Sequence, residues 1–354
     1  MKVQEVARRL GVTPRAVRFY EEKGLVHPRK AAGNGYRLYT EDDVERLRWV
    51  VALRELGLPL ASIADVLDAR SQTAGQTSLL ARLDVARAEL YAQWRSATQA
   101  LEAFDAAVTR LQHGEEELQL LENAAVKLHD LRLLRESWQD RWQFDGLAAV
   151  HAEDAALIYW SQRLNRAEYN QALQRAVEWL DPSDGEQGLD LAAGTGNLTA
   201  LLVNEGTAVT AVEQSANMLS VYRDRFSAAD AKQGNLLALP LTEAVYSYAG
   251  CTFAFHYLEH AQQIAALEEI DRVLLSGGRY VMTGLAKEHL AAPQQQETSA
   301  MDRQQAQVEQ RPNEPDQLFE IDYAALTAWL NKRGYHVILE QVSGVVTLLC
   351  AIKP

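Results

Sequence analysis

A glycine-rich turn between an apolar strand and a helix has the residue types and the spacing best suited to ligand binding. Residues 188–199 read Gly-Leu-Asp-Leu-Ala-Ala-Gly-Thr-Gly-Asn-Leu-Thr. Glycines let the backbone approach a ligand closely, and the helix that follows offers unpaired amides at its N-terminus. A second strand, residues 209–213, ends about 20 positions later in Glu213, whose carboxylate can accept both hydroxyls of a ribose. Together these features predict a site for a ribose-containing ligand.

A second candidate site lies near the N-terminus, where a predicted helix carries two arginines on one face. Thr13 can cap the free amides of this helix, a proline fits its first position, and Gly24 ends it. Arg15 and Arg18 are three residues apart and therefore share a face. Residues 3–10 predict a short amphipathic helix before it. Two short helices joined by a tight glycine turn form a helix-turn-helix, which can enter a DNA major groove.

The charge distribution supports DNA contact by one end of the chain. The 354 residues carry a net charge of −13, yet residues 1–40 hold nine Lys and Arg against three Asp and Glu. A basic segment of net +6 on a body of net −19 fits counterion release from one defined DNA-binding face. The length predicts about two domains, each able to bury its own core.

The composition also argues against several classes of protein. The first residues lack the apolar segment of a signal peptide, and no apolar run approaches the ~18 residues of a membrane helix. The two cysteines, Cys251 and Cys350, argue against a disulfide framework and fit a reducing cytoplasm. Because both are on predicted strands rather than in a cluster of ligands, we expect no metal site.

A heptad pattern follows a polar break at residues 71–77 and predicts a long helix with one apolar seam. Two sets of positions form the seam. The first repeats every seven residues and consists of Leu83, Leu90, Ala97, Phe104 and Leu111. The second lies four residues after these and consists of Arg87, Trp94, Leu101 and Val108. About four heptads pair well before the pattern weakens near Gly114. The helix is therefore either one strand of a coiled coil or a helix buried within one chain.

Eight short segments of the first 70 residues carry a further pattern: Glu5–Ala7, Gly11–Thr13, Arg18–Glu21, Lys23–Leu25, Gly35–Tyr39, Asp43–Leu47, Leu56–Leu60 and Ile63–Leu67. On these segments the chain resembles the N-terminal domain of MerR-family transcription regulators. The resemblance implies a winged helix-turn-helix and a homodimer that reads a pseudo-palindromic site in double-stranded promoter DNA. It also implies RNA polymerase as a partner and a small-molecule effector that biases promoter distortion.

Eight residues are predicted by this resemblance to contact DNA: Thr13, Arg15, Arg18, Tyr20, Arg29, Tyr36, Arg37 and Tyr39. Base contacts near Arg15 and Arg18 would specify the sequence, whereas phosphate contacts from the wing would position the protein. Two roles stay open for Tyr39, which either contacts the DNA backbone or packs under the wing. Tyr20 is predicted at the boundary between protein and DNA.

The second half of the chain carries further motifs from about residue 160 to the end: Leu189–Gly196, Val212–Glu213, Gln233–Pro240, Phe255–Leu258, Arg272–Val281 and the tail Tyr323–Pro354. On these motifs it resembles class I S-adenosylmethionine-dependent methyltransferases. The resemblance implies an α/β Rossmann-like fold with S-adenosylmethionine as the cofactor. The implied cofactor-binding residues are Asp190, Gly194 and Gly196 at the methionine end, Glu213 at the ribose, and Gln214, Met218 and Asn235 at the adenine.

Two departures from this family's pattern bear on activity. Asn235 stands where the family usually has Asp, which keeps an acceptor for the adenine amine but removes a charge. The strand at residues 245–252 lacks the Asp that usually follows its opening aromatic residue. Because no Asn-Pro-Pro-Tyr-like motif is present, methylation of DNA bases is not expected.

His256 is the candidate catalytic residue. At the carboxyl end of a predicted strand it could deprotonate a substrate nucleophile. The alternative is a structural histidine beneath the adenosine. Methyl transfer from a sulfonium depends mainly on proximity and in-line alignment, and little on acid–base chemistry.

The predicted chain is therefore multidomain. An all-α winged helix-turn-helix (1–75) is followed by a dimerisation coiled-coil helix (76–125), a helical, aromatic-rich connector or lid (126–180) and an α/β methyltransferase-like domain (181–354). Residues 286–318 are a Gln-rich insert, either a lid or a disordered segment. Three functions stay open for the C-terminal domain: a sensor of S-adenosylmethionine, its demethylated product or another small molecule; an active small-molecule methyltransferase; and a degenerate fold that only dimerises.

Overall fold

The computed structural model describes residues 1–30, 35–71, 75–113, 118–151, 164–204, 207–285 and 318–354. These residues form two compact units, Met1–Leu90 and Tyr91–Pro354. The boundary between the units lies within one long helix, Gly75–Gln112.

The N-terminal unit consists of helices and one two-stranded hairpin. Its elements are α1 (Val3–Leu10), α2 (Pro14–Glu22), β1 (Arg29–Lys30), β2 (Arg37–Leu38), α3 (Glu41–Glu55), α4 (Leu60–Ser71) and the first part of α5 (Gly75–Gln112). The two strands pair antiparallel, with Arg29 opposite Leu38. The predicted helix-turn-helix and hairpin are confirmed, although turn residues 33 and 34 lie outside the described residues.

The residues between α1 and α2 explain the tight turn. Gly11 ends α1 with a φ of 69°, a left-handed conformation that glycine adopts without steric cost. Thr13 then caps α2, because its Oγ1 accepts a hydrogen bond from the Ala16 amide at 3.1 Å. Val6 of α1 and Val17 of α2 are fully buried in one apolar cluster, which fixes the two helices against each other.

The C-terminal unit alternates strands and helices. Its elements are the second part of α5, α6 (Leu118–Ser137), α7 (Phe144–His151), α8 (Arg166–Leu180), β3 (Gln187–Leu191), α9 (Asn197–Asn204), β4 (Ala208–Glu213), α10 (Ala216–Arg225), β5 (Asp230–Gln233), β6 (Tyr246–Thr252), α11 (His260–Val273), β7 (Leu274–Leu285), α12 (Tyr323–Lys332), β8 (His336–Gln341) and β9 (Val346–Ile352). A single turn of 3-10 helix, Phe255–Tyr257, follows β6.

The strands of this unit form one seven-stranded sheet in the order β5-β4-β3-β6-β7-β9-β8. Neighbours from β5 to β7 are parallel, and β9 runs antiparallel to both β7 and β8. The strand order reverses at β3, with β4 on one side and β6 on the other. Ligands of open α/β sheets bind at such a switch point, outside the carboxyl ends of the strands. The predicted Rossmann-like fold is therefore confirmed, and its topology indicates where a ligand would bind.

The second half of α5 exposes part of the predicted seam. Leu101 is 63% exposed and Phe104 is 57% exposed, and Val108 and Leu111 are about half exposed. The helix ends at Gln112, close to the position where the heptad pattern weakens. The described residues of the chain thus leave this apolar stripe uncovered.

Both cysteines are buried as free thiols in the sheet, Cys251 on β6 and Cys350 on β9. Burial raises the pKa of each thiol, which keeps both protonated. No three His, Cys, Asp or Glu side chains in the described ranges are grouped as a metal site requires. None of the described helices combines the length and the apolar character needed to cross a membrane.

Candidate functional site

A pocket of about 850 Å³ opens at the switch point of the sheet. Its lining comes from the segments that follow β3, β4, β5 and β6, together with α7 and α8. The lining residues that the argument uses are Trp138, Phe144, Tyr169, Gly194, Glu213, Gln214, Met218, Asn235, Phe253 and Tyr257. Five of the seven predicted cofactor-binding residues are among them: Gly194, Glu213, Gln214, Met218 and Asn235.

Glu213 is the carboxylate that the fold places at this pocket. One of its oxygens, Oε2, accepts the Gly194 amide at 2.8 Å, and Oε1 accepts the Ser215 amide at 2.7 Å. Burial raises the pKa of Glu213, and these amide hydrogen bonds oppose that rise because they favour the ionised form. Each carboxylate oxygen has a second lone pair, so that the group retains acceptor capacity for two hydroxyls.

The two glycines of the turn have different roles. Gly194 has a φ of 56° and lines the pocket, and a Cβ built there would meet only the Met218 sulfur at 3.8 Å. A Cβ on Gly196 would lie 2.4 Å from the Phe226 ring and 2.7 Å from the Tyr222 ring. The missing side chain of Gly196 therefore allows close packing against α10, and the ligand contact predicted for its backbone stays a prediction.

Asp190 is not among the lining residues of the pocket, and the ligand contact predicted for it stays a prediction. Its side chain is buried, and Oδ2 accepts two hydrogen bonds from Thr199, from the amide at 2.9 Å and from Oγ1 at 2.6 Å. The carboxylate thereby connects β3 to the first turn of α9, and it holds the glycine turn between them. In the ligand-free chain Asp190 thus supports the shape of the pocket through Thr199.

Burial raises the pKa of Asp190 to about 7, and this predicts a specific pH dependence of stability. Between about pH 4 and 7 the native chain retains a proton that the unfolded chain releases, so this contribution to the free energy of unfolding falls as the pH rises. The expected slope is about 1.4 kcal/mol per pH unit. Urea unfolding of the wild type and Asp190→Asn, followed by tryptophan fluorescence at pH 5, 6, 7 and 8, measures it. The free energy of unfolding of the wild type minus that of Asp190→Asn should decrease as the pH rises to about 7. A value of this difference that does not change with pH would contradict the raised pKa.

Gln214 and Asn235 form a pair at the edge of the pocket. The Asn235 Nδ2 donates to Gln214 Oε1 at 2.8 Å, and Asn235 Oδ1 accepts the Leu237 amide at 2.8 Å. Met218 of α10, which is largely buried, lies nearby in the lining. The two amide side chains fix each other's orientation, and Asn235 Oδ1 keeps one lone pair for a further donor.

His256 is fully buried, and both of its ring nitrogens are engaged. Nε2 accepts the Leu285 amide at 2.8 Å, which places the proton on Nδ1, and Nδ1 donates to the Phe319 carbonyl at 2.9 Å. The ring therefore connects the two chain segments that flank residues 286–317. Those residues, which make up all but the last position of the predicted insert, lie outside the described residues. With both nitrogens engaged, the geometry favours the structural alternative for His256, and its catalytic role stays a prediction.

An aromatic wall borders the other side of the pocket, and the site prediction did not contain it. Tyr257 packs edge-on against Trp142 and Phe144, with ring centroids 4.8 and 4.9 Å apart. Tyr169 of α8 stacks on Phe253 at 5.2 Å. Trp142, Phe144 and Tyr169 belong to the aromatic-rich connector or lid predicted over residues 126–180, so the composition of that segment was the signal for this wall. Residues 152–163 of that run lie outside the described residues.

The predicted DNA-binding surface divides into exposed and buried side chains. Arg15, Arg18 and Arg29 are exposed, and Tyr36 is 65% exposed. The Oγ1 of Thr13 accepts the cap hydrogen bond of α2, so this side chain shapes the start of the helix.

The wing is fixed to α2 through one carboxylate. Arg37 Nε lies 2.6 Å from Glu21 of α2, and the Tyr39 hydroxyl donates to the same carboxylate at 3.4 Å. Tyr39 is only 2% exposed, and burial beside Glu21 raises its pKa to about 12. Of the two roles open for Tyr39, the structure favours packing under the wing. Tyr20 is half-buried against the apolar clusters of the unit, and the boundary role predicted for it stays a prediction.

Comparison with known proteins divides the chain in the same way. Residues 1–70 match the family model of MerR helix-turn-helix regulatory proteins, and residues 189–278 match a methyltransferase domain model. The HTH-type transcriptional regulator YfmP of Bacillus subtilis is 42% identical over 73 residues, which is 20% of this chain and 52% of that protein. An uncharacterized methyltransferase of Mycobacterium bovis is 36% identical over 104 residues, which is 29% of this chain and 42% of that protein.

One similar solved structure is a putative methyltransferase in complex with the Haloferax volcanii Trm112 methyltransferase activator. It is 16% identical, covers 60% of this chain and 99% of its own, and has a TM-score of 0.47. The chain spans about half the length of the curated relatives it matches. The chain thus carries a MerR-type helix-turn-helix domain at its N-terminus and a methyltransferase domain in its C-terminal region.

Proposed function

We propose that the chain is a DNA-binding transcription regulator whose pocket binds S-adenosylmethionine or a related adenosyl effector. The observation that carries this proposal is the Glu213 carboxylate at the switch point, bonded to the glycine turn through the Gly194 amide. An acid at the end of the second strand, beside a glycine turn, is the arrangement that binds a ribose. The rest of the lining is mainly apolar, which suits an adenine ring and the carbon chain beside the ligand's sulfur.

The residues present fit such a ligand in a definite order. Glu213 accepts the ribose hydroxyls, Met218 packs on the adenine face, and Asn235 accepts the adenine amine. Gly194 allows the methionine end to approach the backbone. A bound S-adenosylmethionine would supply a methyl group activated by its sulfonium; the protein residues would bind and orient it.

Sensing is the role that the described lining favours over catalysis. Glu213 is the one carboxylate among the described lining residues, and it is occupied by backbone amides and the proposed ribose contact. His256, the candidate base, has both nitrogens engaged. The second candidate function, small-molecule methylation, is supported by the extension of the pocket to the aromatic wall at Phe144 and Tyr257. An acceptor with an apolar body and a neutral nucleophilic nitrogen or sulfur, placed there, would take the methyl group through proximity and alignment, and the cofactor would leave as its thioether.

The DNA-binding role is proposed for the exposed faces of α2 and the wing. Arg15 and Arg18 would read base edges, and Arg29, Tyr36 and the Glu21-bound Arg37 would contact the phosphate backbone. Effector binding would change the free energy of promoter distortion, which RNA polymerase would read at the promoter. We propose a cytoplasmic location, because promoter DNA and RNA polymerase would be reached there.

The proposed homodimer uses the exposed stripe of α5. A Phe104→Glu change puts a charge into this interface twice, once from each subunit, and should weaken dimerisation about a hundredfold or more. Sedimentation equilibrium should give twice the chain mass for the wild type and the chain mass for the variant at micromolar concentration. Gln112→Glu, at the exposed end of the same helix, is the matched control and should stay dimeric. A Phe104→Glu protein of unchanged mass would place the dimer interface elsewhere.

Calorimetric titration of the purified protein with S-adenosylmethionine and S-adenosylhomocysteine tests the ligand part of this function. Micromolar binding of either compound is expected. The titration is then repeated in the presence of DNA selected by the protein from a random pool. A change in ligand affinity on DNA would support regulation, since coupling between two sites is reciprocal. Absence of binding to both compounds would overturn the adenosyl effector.

The catalytic alternative is tested separately with methyl-labelled S-adenosylmethionine. Incubation with an extract of small metabolites should leave the label on the cofactor if the domain is a sensor. Transfer of label to a metabolite by the wild type would favour the methyltransferase alternative instead.

A further inference from the structure

The loop segment Asn235–Leu241, here called the pocket loop, borders the pocket through Asn235 and Leu236. Side chains of α6 and α11 bond the backbone of alternate residues in this loop. Arg135 donates to the Leu237 carbonyl at 2.9 Å, Glu269 accepts the Leu239 amide at 2.9 Å, and Arg272 donates to the carbonyls of Leu239 at 3.1 Å and Leu241 at 2.8 Å. The position of the pocket loop therefore depends on three charged side chains outside the pocket lining.

Glu269 is the centre of this network. Its side chain is 3% exposed, and it accepts four hydrogen bonds. Oε2 accepts the Leu239 amide and Arg272 at 2.7 Å, whereas Oε1 accepts Arg272 at 3.2 Å and Arg95 Nε at 2.9 Å. A buried carboxylate is tolerated only when cations and donors satisfy it. Arg95 and Arg272 together supply that compensation.

Arg95 connects this network to α5. Its side chain is 12% exposed, and it lies 174 positions before Glu269 in the sequence. The neighbouring Trp94 ring lies 5.8 Å from the Arg272 guanidinium. Burial lowers the pKa of Arg135, and the positive charges of Arg95 and Arg272 lower it further, whereas the Glu269 charge opposes this. Arg95 also lies 4.0 Å from Glu102 and from Glu243, so Glu269 is its nearest carboxylate but not its only one. The helix that provides Arg95 begins at Gly75, among residues of the N-terminal unit.

We propose that Arg95 is a positioning residue that fixes the pocket loop through Glu269 and couples occupancy of the pocket to α5. The coupling between the pocket and α5 rests on the proposed function, whereas the positioning of the loop by Arg95 does not. A ligand that contacts Asn235 changes the position of the loop backbone, and the Leu239–Glu269 bond passes that change to Arg95. By reciprocity, a change in α5 alters ligand affinity by the same factor.

Hydrogen exchange of the full-length protein, read by mass spectrometry with and without S-adenosylhomocysteine, tests the inference. The compared proteins are the wild type, Arg95→Met, Arg95→Lys and Arg110→Met. Methionine keeps the length and apolar stem of arginine without its charge, and Arg272 still pairs with Glu269. Arg110→Met is the matched control at an exposed arginine of the same helix. Amides of β7 report whether the whole unit stays folded.

In Arg95→Met without ligand, residues 235–241 are expected to exchange about tenfold faster, while β7 is unchanged. Arg95→Lys should restore part of the protection, and Arg110→Met should match the wild type. The ligand should slow exchange in residues 91–112 of the wild type but not of Arg95→Met. Unchanged loop exchange in Arg95→Met, or equal acceleration in β7, would overturn the positioning role. A wild type that does not bind the ligand would refute the proposed function, whereas the ligand-free loop comparison would still decide the role of Arg95.

Discussion

Glu213→Ala should weaken binding of S-adenosylmethionine by about two orders of magnitude or more. Hydrogen bonds to an ionised acceptor contribute about 1.5–3 kcal/mol each, and the ribose would lose two of them. The same change leaves the Gly194 and Ser215 amides without their acceptor, so the turn that shapes the pocket also loses a constraint. Both effects act in the same direction, because each removes preorganisation from the ligand site.

Calorimetry of the variant against S-adenosylmethionine measures this loss. Glu178→Ala is a matched control, because Glu178 is exposed on α8 and pairs with Arg175 one turn away. The thermal midpoint without ligand separates loss of the site from loss of the fold: a midpoint near that of the wild type shows that the unit is intact. Wild-type affinity in Glu213→Ala would refute the ribose assignment and direct the search for a ligand to the aromatic wall.

The architecture of the C-terminal unit could be predicted because each element carries local signals. The apolar run before the glycine turn predicts β3. Asn165 forms a capping box with Glu168, so α8 begins at Arg166. The acid at the end of β4 lies beside the glycine turn because parallel neighbours β3 and β4 end at the same edge. Local sequence and parallel pairing together therefore located Glu213.

The roles of individual turn residues could not be predicted, because spacing does not tell which atoms face a pocket and which face a helix. Gly196 is required by Tyr222 and Phe226, which follow 26 and 30 positions later on or beside α10. Asp190 accepts a hydrogen bond from Thr199 across the turn. The glycine motif by itself does not indicate that these two polar residues pair. The motif was recognised, but the division between packing and binding depends on tertiary contacts.

Long-range charged contacts were the least accessible to sequence reasoning. Glu269 pairs with Arg95, which is 174 residues away in the sequence, and with Arg272, which is three residues away. Only the second could be read from helical spacing. The same limit applies to His256, because its engagement depends on Leu285 and Phe319 from two separate segments.

Arg18→Ala should lower the affinity for selected DNA by about thirtyfold or more. An arginine that reads a base contributes about 1–3 kcal/mol of discrimination, and the proposed dimer would lose two such contacts. Arg18 is exposed on α2, the second helix of the helix-turn-helix, on the same face as Arg15. Since the Thr13 cap and the buried Val17 are untouched, the helix itself should keep its structure.

Fluorescence anisotropy measures the affinity for DNA selected by the wild type and for random DNA of equal length. The comparison separates loss of a base contact from loss of a phosphate contact. Arg48→Ala is the matched control, because it removes the same charge from an exposed position of α3. A base-reading role predicts a larger loss on selected DNA than on random DNA, whereas a phosphate contact predicts equal losses and a smaller salt dependence. Sedimentation should show an unchanged dimer. Equal affinities of Arg18→Ala and wild type on both DNAs would exclude α2 as the recognition helix, and the wing arginines would then be tested in its place.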